Sequence, residues 1–252
     1  MTISHDASVE RQFGPQAAAY VESAVHAAGE DLDWIEARAR EIAPAHALDL
    51  GAGGGHVAYR VAAHAGRVTA SDLSREMVDA VLATARAKGL GNVTGEVSPA
   101  EALPFADGAF DMLACRFTAH HWRDFHGGLR EARRVLRPGA PALFVDGMGI
   151  EHPLADTFLQ AIELLRDPSH VRDYRADEWA AALGQAGFTV SSVTMRRIRL
   201  DFASWIARMR TAPAHVAAIR SLQQGAAGEV RDRLGIEEDG SFQLDTIAVE
   251  CI

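Results

Sequence analysis

From residue 46 to residue 147 the chain alternates between short apolar runs and longer amphipathic segments. The apolar runs are predicted as strands at 46–50, 67–71, 92–97, 110–115 and 142–146. The segments with apolar residues at helical spacing are predicted as helices at 57–65, 75–88 and 125–136. Strands that alternate with helices of this length imply parallel pairing through right-handed crossovers. The pattern therefore predicts an α/β fold with a mostly parallel sheet.

The regions that flank this core are mainly helical. Their predicted elements are two helices at 17–28 and 32–42, a helix-rich segment at 150–235 that includes a strand near 188–198, and a final extended stretch at 241–252. No internal repeat or Gly/Ser linker separates these pieces from the core at 46–147. One domain over residues 1–252, with a helical insertion, is therefore the simpler prediction.

The composition is ordinary for a globular protein: 252 residues, of which 48% are hydrophobic and 23% charged. A chain of this length buries enough surface to fold without disulfides or metals. Cys115 and Cys251 both lie in predicted strands, so two buried free thiols in a reducing compartment are expected. The start has no signal-peptide core, and no run of about 18 apolar residues occurs. These features predict a cytoplasmic protein without a membrane span.

The net charge of −9 argues against a nucleic-acid partner, because phosphate-binding proteins usually carry a basic stripe. The most basic stretch contains four arginines, at positions 130, 133, 134 and 137. Their helical spacing and the nearby acids indicate a solvated helix face. A small-molecule partner is therefore expected, and the sequence leaves room for an oligomer.

A glycine-rich turn follows the first predicted strand and precedes a helix. Gly51, Gly53 and Gly55 form the pattern Gly-x-Gly-x-Gly. Glycines adopt positive φ and let a ligand approach the backbone closely, and open α/β sheets bind ligands at this end of their strands. Dinucleotide-binding turns carry their third glycine three residues after the second, where this chain has His56. The spacing therefore disfavours a dinucleotide oxidoreductase.

Two acids accompany the turn. Asp49 would repel a pyrophosphate but would attract the ammonium group of a methionine moiety. Asp72, at the end of the second predicted strand, can accept hydrogen bonds from two ribose hydroxyls, which serves NAD and S-adenosylmethionine equally. The alternative is that the glycines only make a tight turn and both acids cap helices. The combination of turn and acids favours a nucleoside ligand.

Several motifs resemble the class I S-adenosylmethionine-dependent methyltransferases. They occur in the family's order: 48–55 (LDLGAGGG), 71–74 (SDLS) with Met77 nearby, 100–105 (AEALPF), 110–113 (FDML), 116–117 (RF), 120–122 (HHW) and 131–139 (EARRVLRPG). The resemblance covers roughly residues 10–147. The subgroup that the chain resembles is that of the ubiquinone and menaquinone biosynthesis C-methyltransferases and their relatives.

The resemblance implies a Rossmann-like, seven-stranded sheet whose last strand, at 241–252, is antiparallel. It also implies a helical lid at 1–45 and acceptor-pocket helices at 150–235, although their apolar stripes could equally be plain core. S-adenosylmethionine would be the cofactor and S-adenosylhomocysteine the product of methyl transfer to a small organic acceptor by in-line displacement. A protein that binds the cofactor without catalysis, as a sensor or an assembly partner, is the alternative.

The resemblance also assigns a cofactor site. The implied residues are Phe13, Tyr20, Asp49, Gly51, Ala52, Gly53, Gly55, Asp72, Leu73, Met77, Ala100, Glu101 and Arg116. Phe13 and Tyr20 belong to the lid, but they share one helix face and could equally pack onto the core. Many relatives carry an acid just before the Ala-Glu pair, where this chain has Pro99. We therefore expect adenine to be recognised by backbone groups or by Ser98.

His120 and His121 follow the fourth predicted strand at the ligand-binding edge. A histidine there has a suitable pKa to act as general base if the acceptor atom carries a proton. The alternative for either residue is that it caps or packs against the following helix. Adjacent histidines point in different directions and have no further ligand at convincing spacing, so no metal site is predicted.

Overall fold

The computed structural model describes residues 3–14 and 28–252. Tyr20 and almost all of the predicted helix at 17–28 lie outside the described residues. The strands are β1 (His46–Leu50), β2 (Arg67–Asp72), β3 (Val93–Val97), β4 (Met112–Arg116), β5 (Ala142–Gly147), β6 (Val190–Leu200) and β7 (Phe242–Cys251).

The strands form one seven-stranded sheet in the order β3-β2-β1-β4-β5-β7-β6. β1 to β5 pair in parallel, with Leu48 opposite Leu113 and Leu50 opposite Ser71. β7 runs antiparallel to both β5 and β6. The predicted Rossmann-like fold with an antiparallel last strand is therefore confirmed.

Helices connect the strands and cover the sheet. They are α1 (His5–Phe13), α2 (Glu30–Ile42), α3 (His56–Ala62), α4 (Arg75–Ala87), α5 (Phe125–Val135), α6 (Pro153–Arg166), α7 (Ala176–Ala186), α8 (Phe202–Met209), α9 (Pro213–Gln224) and α10 (Gly228–Leu234). A single 3₁₀ turn, Ala119–His121, follows β4. None of the helices in the described part of the chain has the length and apolar character needed to cross a membrane.

The predicted element bounds differ from the observed ones by a few residues. The strand predicted at 110–115 begins at Met112, because Phe110 makes only an isolated bridge with Leu136. The helix predicted at 57–65 starts at His56 and ends at Ala62. The ends of helices and strands depend on capping contacts, which the apolar periodicity of the sequence does not show.

Both faces of the central strands β1, β4 and β5 are buried, whereas the edge strand β6 is largely exposed. Phe144 on one face packs in a cluster with Trp179 of α7, and Val68 on the other packs with Ile35 of α2. Both faces of a parallel sheet are covered, which explains why its strands are continuous apolar runs rather than alternating ones. Cys115 and Cys251 are free thiols, both buried.

The helical insertion has a hydrophobic core of its own. Leu159 of α6, Trp205 of α8 and Phe242 of β7 are buried together there. The apolar stripes of these helices are therefore core. Trp205 also lines the cavity described below, so the insertion contributes to a pocket wall as well.

Candidate active site

A cavity of about 460 Å³ opens at the carboxyl ends of the parallel strands, a volume within the usual range for small-molecule sites. Its wall includes the last residues of four strands, Leu50, Asp72, Arg116 and Gly147. β2 lies on one side of β1 and β4 on the other, so the direction of the crossovers reverses beside β1. Open α/β sheets bind ligands at such a reversal.

The glycine loop, residues 51–55, follows β1, and its residues 51–54 line the cavity. Gly51 and Gly53 have φ of 70° and 48°, in the left-handed region, and both line the cavity. A Cβ at Gly51 would collide with Thr118, whereas nothing lies within 4 Å of the Cβ position at Gly53. The backbone at Gly53 is therefore open to a ligand, and a side chain there would occupy ligand space.

Gly55 does not line the cavity. Its φ is 78°, and a Cβ would lie 2.7 Å from the ring of Tyr59. It precedes α3, and its N–H donates to the carbonyl of Ala52 at 2.8 Å. Gly55 thus allows the helix to pack closely behind the loop.

Asp72 ties the glycine loop to the second strand. Its Oδ2 accepts the N–H of Gly53 at 2.8 Å, and its Oδ1 accepts the N–H of Ser74 at 2.9 Å. Burial raises the pKa of this carboxyl. Each oxygen keeps a second lone pair, so the carboxylate can still accept hydrogen bonds from a ligand in the cavity.

Asp49 lies deeper, with only 2% of its surface exposed. Its Oδ2 accepts the N–H of Ala58 in the first turn of α3 at 2.9 Å. Burial and, secondarily, the proximity of Asp72 raise the pKa of Asp49 to about 7. A cationic ligand group nearby would favour its ionised form.

The wall beyond β2 combines apolar and hydroxyl groups. Leu73 and Met77 line it together with Ala100. The Oγ atoms of Ser98 and Ser71 lie 2.9 Å apart, so these buried hydroxyls bond each other. This surface can pack against a flat ring.

Glu101 and Pro99 also border this part of the cavity. The Oε1 of Glu101 accepts the N–H of Asp124 at 3.0 Å. Asp124 is the N-cap of α5, so Glu101 holds the start of that helix in place.

Arg116 ends β4 and forms an ion pair with Asp31 of α2. Its guanidinium also lies 5.0 Å from the ring centre of Phe117. Phe117 has a φ of 52°, a strained conformation for a side-chain-bearing residue, and it lines the cavity. Strain of this kind concentrates at functional sites.

His120 forms a buried pair with Asp146. Its Nδ1 lies 2.5 Å from Oδ1 of Asp146, whose Oδ2 accepts the N–H of His120 at 3.2 Å. Burial alone would lower the pKa of His120, but the charge of Asp146 and this hydrogen bond raise it to about 9. His120 is therefore protonated at neutral pH when no ligand perturbs it.

His121 differs from His120 in its protonation state. Its Nδ1 donates to the carbonyl of Ser169 at 3.1 Å. Burial and the charge of His120 lower the pKa of His121 to about 4, so this ring is neutral at pH 7. Phe13 packs edge-on against it at 5.0 Å, and His5 lies 2.8 Å from its carbonyl, so α1 covers this pair.

Four carboxylates lie around His120 and His121 at the far end of the cavity. This group, which we term the acidic end, consists of Asp146, Glu163, Asp167 and Asp173. All but Asp146 line the cavity wall directly. Arg166 of α6 lines the same wall and pairs with Glu163 at 3.2 Å.

The cavity brings together every predicted site residue that the structure describes, except Gly55. Tyr20 lies outside the described residues. Sequence reasoning missed Asp31, Phe117, Thr118 and the whole acidic end. Of these, Asp146 had a usable signal, because it ends a predicted strand and the ends of parallel strands meet at one edge.

The chain is similar in sequence and in structure to known methyltransferases. The family model for a methyltransferase domain, Methyltransf_11, matches residues 48–144. This span begins within β1 and ends within β5, so it contains the glycine loop and His120 but not Asp146.

Two relatives are similar over most of their own length. YafE of Escherichia coli strain K12 is 43% identical over 196 residues, which cover 78% of this chain and 95% of YafE. The uncharacterized methyltransferase YcgJ of Bacillus subtilis strain 168 is 33% identical over 248 residues, which cover 96% of this chain and 98% of YcgJ. The crystal structure of YcgJ matches with a TM-score of 0.84 at 32% identity, covering 88% of this chain and 97% of that one.

A third relative is similar over a shorter span. The ubiquinone/menaquinone biosynthesis C-methyltransferase UbiE of Sinorhizobium fredii is 30% identical over 169 residues. These cover 56% of this chain and 66% of UbiE.

Proposed function

This chain belongs to the S-adenosylmethionine-dependent methyltransferases of the UbiE-like type, and we propose that it transfers the methyl group to a small organic acceptor by in-line displacement. Family membership makes it an enzyme that uses S-adenosylmethionine. One observation carries the proposal: a single cavity is lined both by the glycine loop and by His120, which pairs with Asp146. Cofactor and acceptor would therefore share one enclosed space.

The glycine loop suits the methionine and ribose parts of the cofactor. We assign the backbone of Gly51, Ala52 and Gly53 to the methionine part, because the space beside Gly53 is open. Asp72 accepts from the ribose hydroxyls with the lone pairs that its backbone partners leave. Asp49 faces the ammonium group, directly or through water, because a cation favours its ionised form.

The wall beyond β2 suits adenine. Leu73 and Met77 pack against the ring, and Ala100 and Glu101 border its edge. The hydroxyl of Ser98 bonds that of Ser71 and keeps further hydrogen-bonding capacity, so we assign the polar edge of adenine to backbone groups or to Ser98. This supports the expectation that no acidic side chain is needed at this position.

Arg116 lines the methionine end, where its pair with Asp31 keeps the guanidinium in place. We assign Phe13 of α1 to a lid over the acceptor side, together with Tyr20. The contact of Phe13 with His121 supports this role, because it closes the cavity above the reacting groups.

When bound, S-adenosylmethionine supplies an electrophilic methyl carbon and leaves as S-adenosylhomocysteine. The chain positions the acceptor, excludes water and receives a proton. The neutral form of His120 keeps its Nδ1 proton bonded to Asp146, so in molecules with a neutral ring Nε2 is the atom that takes the proton from the acceptor. Asp146 acts as a positioning residue, because it fixes the orientation of the ring.

The test is methyl transfer from S-adenosylmethionine labelled in its methyl group. The purified protein is incubated with a panel of phenols, quinols, amines and carboxylic acids, and labelled products are separated. We expect incorporation into at least one acceptor class. Tight cofactor binding with transfer to none of them would instead favour the non-catalytic sensor or assembly protein.

A further inference from the structure

The four carboxylates of the acidic end differ in whether they have partners within the protein. Asp146 pairs with His120, and Glu163 pairs with Arg166 at 3.2 Å. Asp167 accepts hydrogen bonds from the N–H and the hydroxyl of one residue, Ser169, at 2.9 and 2.6 Å. These three acids therefore have partners within the protein.

Asp173 is the exception. Only 3% of its surface is exposed, and its Oδ2 is buried without a hydrogen-bond partner among residues 3–14 and 28–252. An ionised carboxylate buried in this way costs folding free energy unless something pairs with it. Because Asp173 lines the cavity, that partner can come from a ligand.

The backbone holds Asp173 in this position. Its N–H donates to Oε1 of Gln160 at 3.1 Å, and its carbonyl accepts from Nε2 of the same side chain at 2.9 Å. Its Oδ1 lies so close to Gly147 that a Cβ there would be 2.6 Å from it. The carboxylate is therefore fixed beside the end of β5, on the same wall as His120.

The charges around Asp173 favour a cationic ligand. Burial raises the pKa of Asp173 to about 8; Glu163 and Asp146 add to this, while His120 and Arg166 oppose it. These two cations are already paired with Asp146 and Glu163, respectively. A cation from a ligand would reduce the mutual repulsion of the acids, whereas an anion would increase it.

The two other histidines here do not supply that cation. Burial lowers the pKa of His121 to about 4, and burial with the charge of His120 lowers that of His170 to about 2. Arg208 of α8 lines the cavity as well, so one further guanidinium faces the same space. Among the described residues, the four acids of the acidic end outnumber these three cations, Arg166, Arg208 and His120.

We propose that Asp173 binds the protonated amino group of the methyl acceptor, so that the substrates are small amine-bearing molecules. This rests on the proposed function, because it places the acceptor in the cavity beyond the cofactor. An ammonium group has several N–H donors and can satisfy Oδ2 of Asp173 while it neutralises the excess charge. Within the described residues, no group of three or more side chains has the arrangement of a metal site, which favours an organic cation.

The test compares three probes with the same ring and different charge. Benzylamine, benzyl alcohol and benzoate are titrated calorimetrically into protein saturated with S-adenosylhomocysteine at pH 8. We expect benzylamine to bind roughly tenfold more tightly than benzyl alcohol, as removal of a buried charged partner predicts, and benzoate to bind most weakly. Asp173→Asn should abolish the preference for the amine.

The control is Asp177→Asn, an exposed acid at the start of α7 that should leave the preference unchanged. Ligand-free Asp173→Asn should melt no lower than the parent protein, because the substitution removes a buried carboxyl oxygen that has no hydrogen-bond partner among the described residues. Equal affinity for benzylamine and benzyl alcohol, or an amine preference that survives in Asp173→Asn, would overturn the proposal. Failure to bind S-adenosylhomocysteine would count against the proposed function instead.

Discussion

The glycine-loop side of the cavity and its acidic end hold buried carboxylates in different ways. On the glycine-loop side, Asp72 accepts two backbone N–H groups, and Asp49 accepts one. Those donors belong to the loop and to the first turns of neighbouring helices. The positions of these two carboxylates therefore depend on backbone donors.

At the acidic end, charged side chains balance one another instead. Asp146 pairs with His120, and Glu163 pairs with Arg166. The Oδ2 of Asp173 has no hydrogen-bond partner in the described part of the chain. The net charge of this group of side chains changes when a proton or a charged ligand binds. This cavity therefore joins a binding surface held by backbone hydrogen bonds to one whose charge changes with protonation and ligand binding. The following experiments separate the two.

The largest effect is expected at His120. His120→Gln should lower kcat by roughly 10²–10⁴-fold, because it removes the proposed general base. His121→Gln should lower it much less, because the neutral ring of His121 already donates to a carbonyl. The measurement is steady-state methyl transfer to the best acceptor, with cofactor affinity checked by calorimetry. Equal losses in both variants would refute the different roles of the two rings.

Gly53→Val should weaken the binding of S-adenosylmethionine by roughly a hundredfold or more, because the branched side chain would enter open cavity space. Gly89→Val is the matched control. Gly89 also has positive φ and open space at its Cβ position, but it lies after α4 outside the cavity. Both variants should melt at lower temperature; only Gly53→Val should lose the cofactor. Full binding by Gly53→Val would exclude the loop as the site.

Asp72→Ala should weaken S-adenosylmethionine binding by about 1–3 kcal/mol, or roughly 5- to 150-fold, because the ribose hydroxyls would lose their proposed acceptor. Asp79→Ala, an exposed acid on α4, serves as control and should bind normally. Calorimetric dissociation constants decide the matter. Unchanged affinity in Asp72→Ala would remove its assigned ribose role.

The smallest effect concerns pH. Because Asp146 raises the pKa of His120 to about 9, the neutral base is scarce at pH 7, and kcat/KM should rise with pH, with an inflection near 9 and a plateau above it. Asp146→Asn removes the charge that raises this pKa, so the plateau should begin at lower pH and at lower activity. A pH profile whose inflection does not move in Asp146→Asn would show that this pair does not control the reaction.

Much of the cofactor side could be predicted from the sequence. Gly51, Gly53 and Asp72 were all identified from a strand, a turn and the end of the next strand, and all three line the cavity. The roles assigned to them stay predictions until binding is measured. Gly55 was grouped with them because spacing does not distinguish a glycine that faces a ligand from one that makes room for Tyr59.

The acidic end could not be predicted in this way. Glu163 and Asp173 lie in a segment whose only pattern was helical periodicity. Acids on such a segment are usually solvated, and nothing local marks these two as buried. The same holds for Asp31, whose partner Arg116 is 85 residues away in the chain.

The order of apolar runs, the left-handed turn and the acids beside it are local properties, and the sequence alone determined them, together with the sheet that they imply. Only the tertiary structure decided which distant side chains meet: Arg116 with Asp31, His120 with Asp146, and Asp173 with the cavity. The physical reason is that backbone conformation depends on neighbouring residues, whereas burial and charge pairing depend on how the helical insertion packs against the end of the sheet.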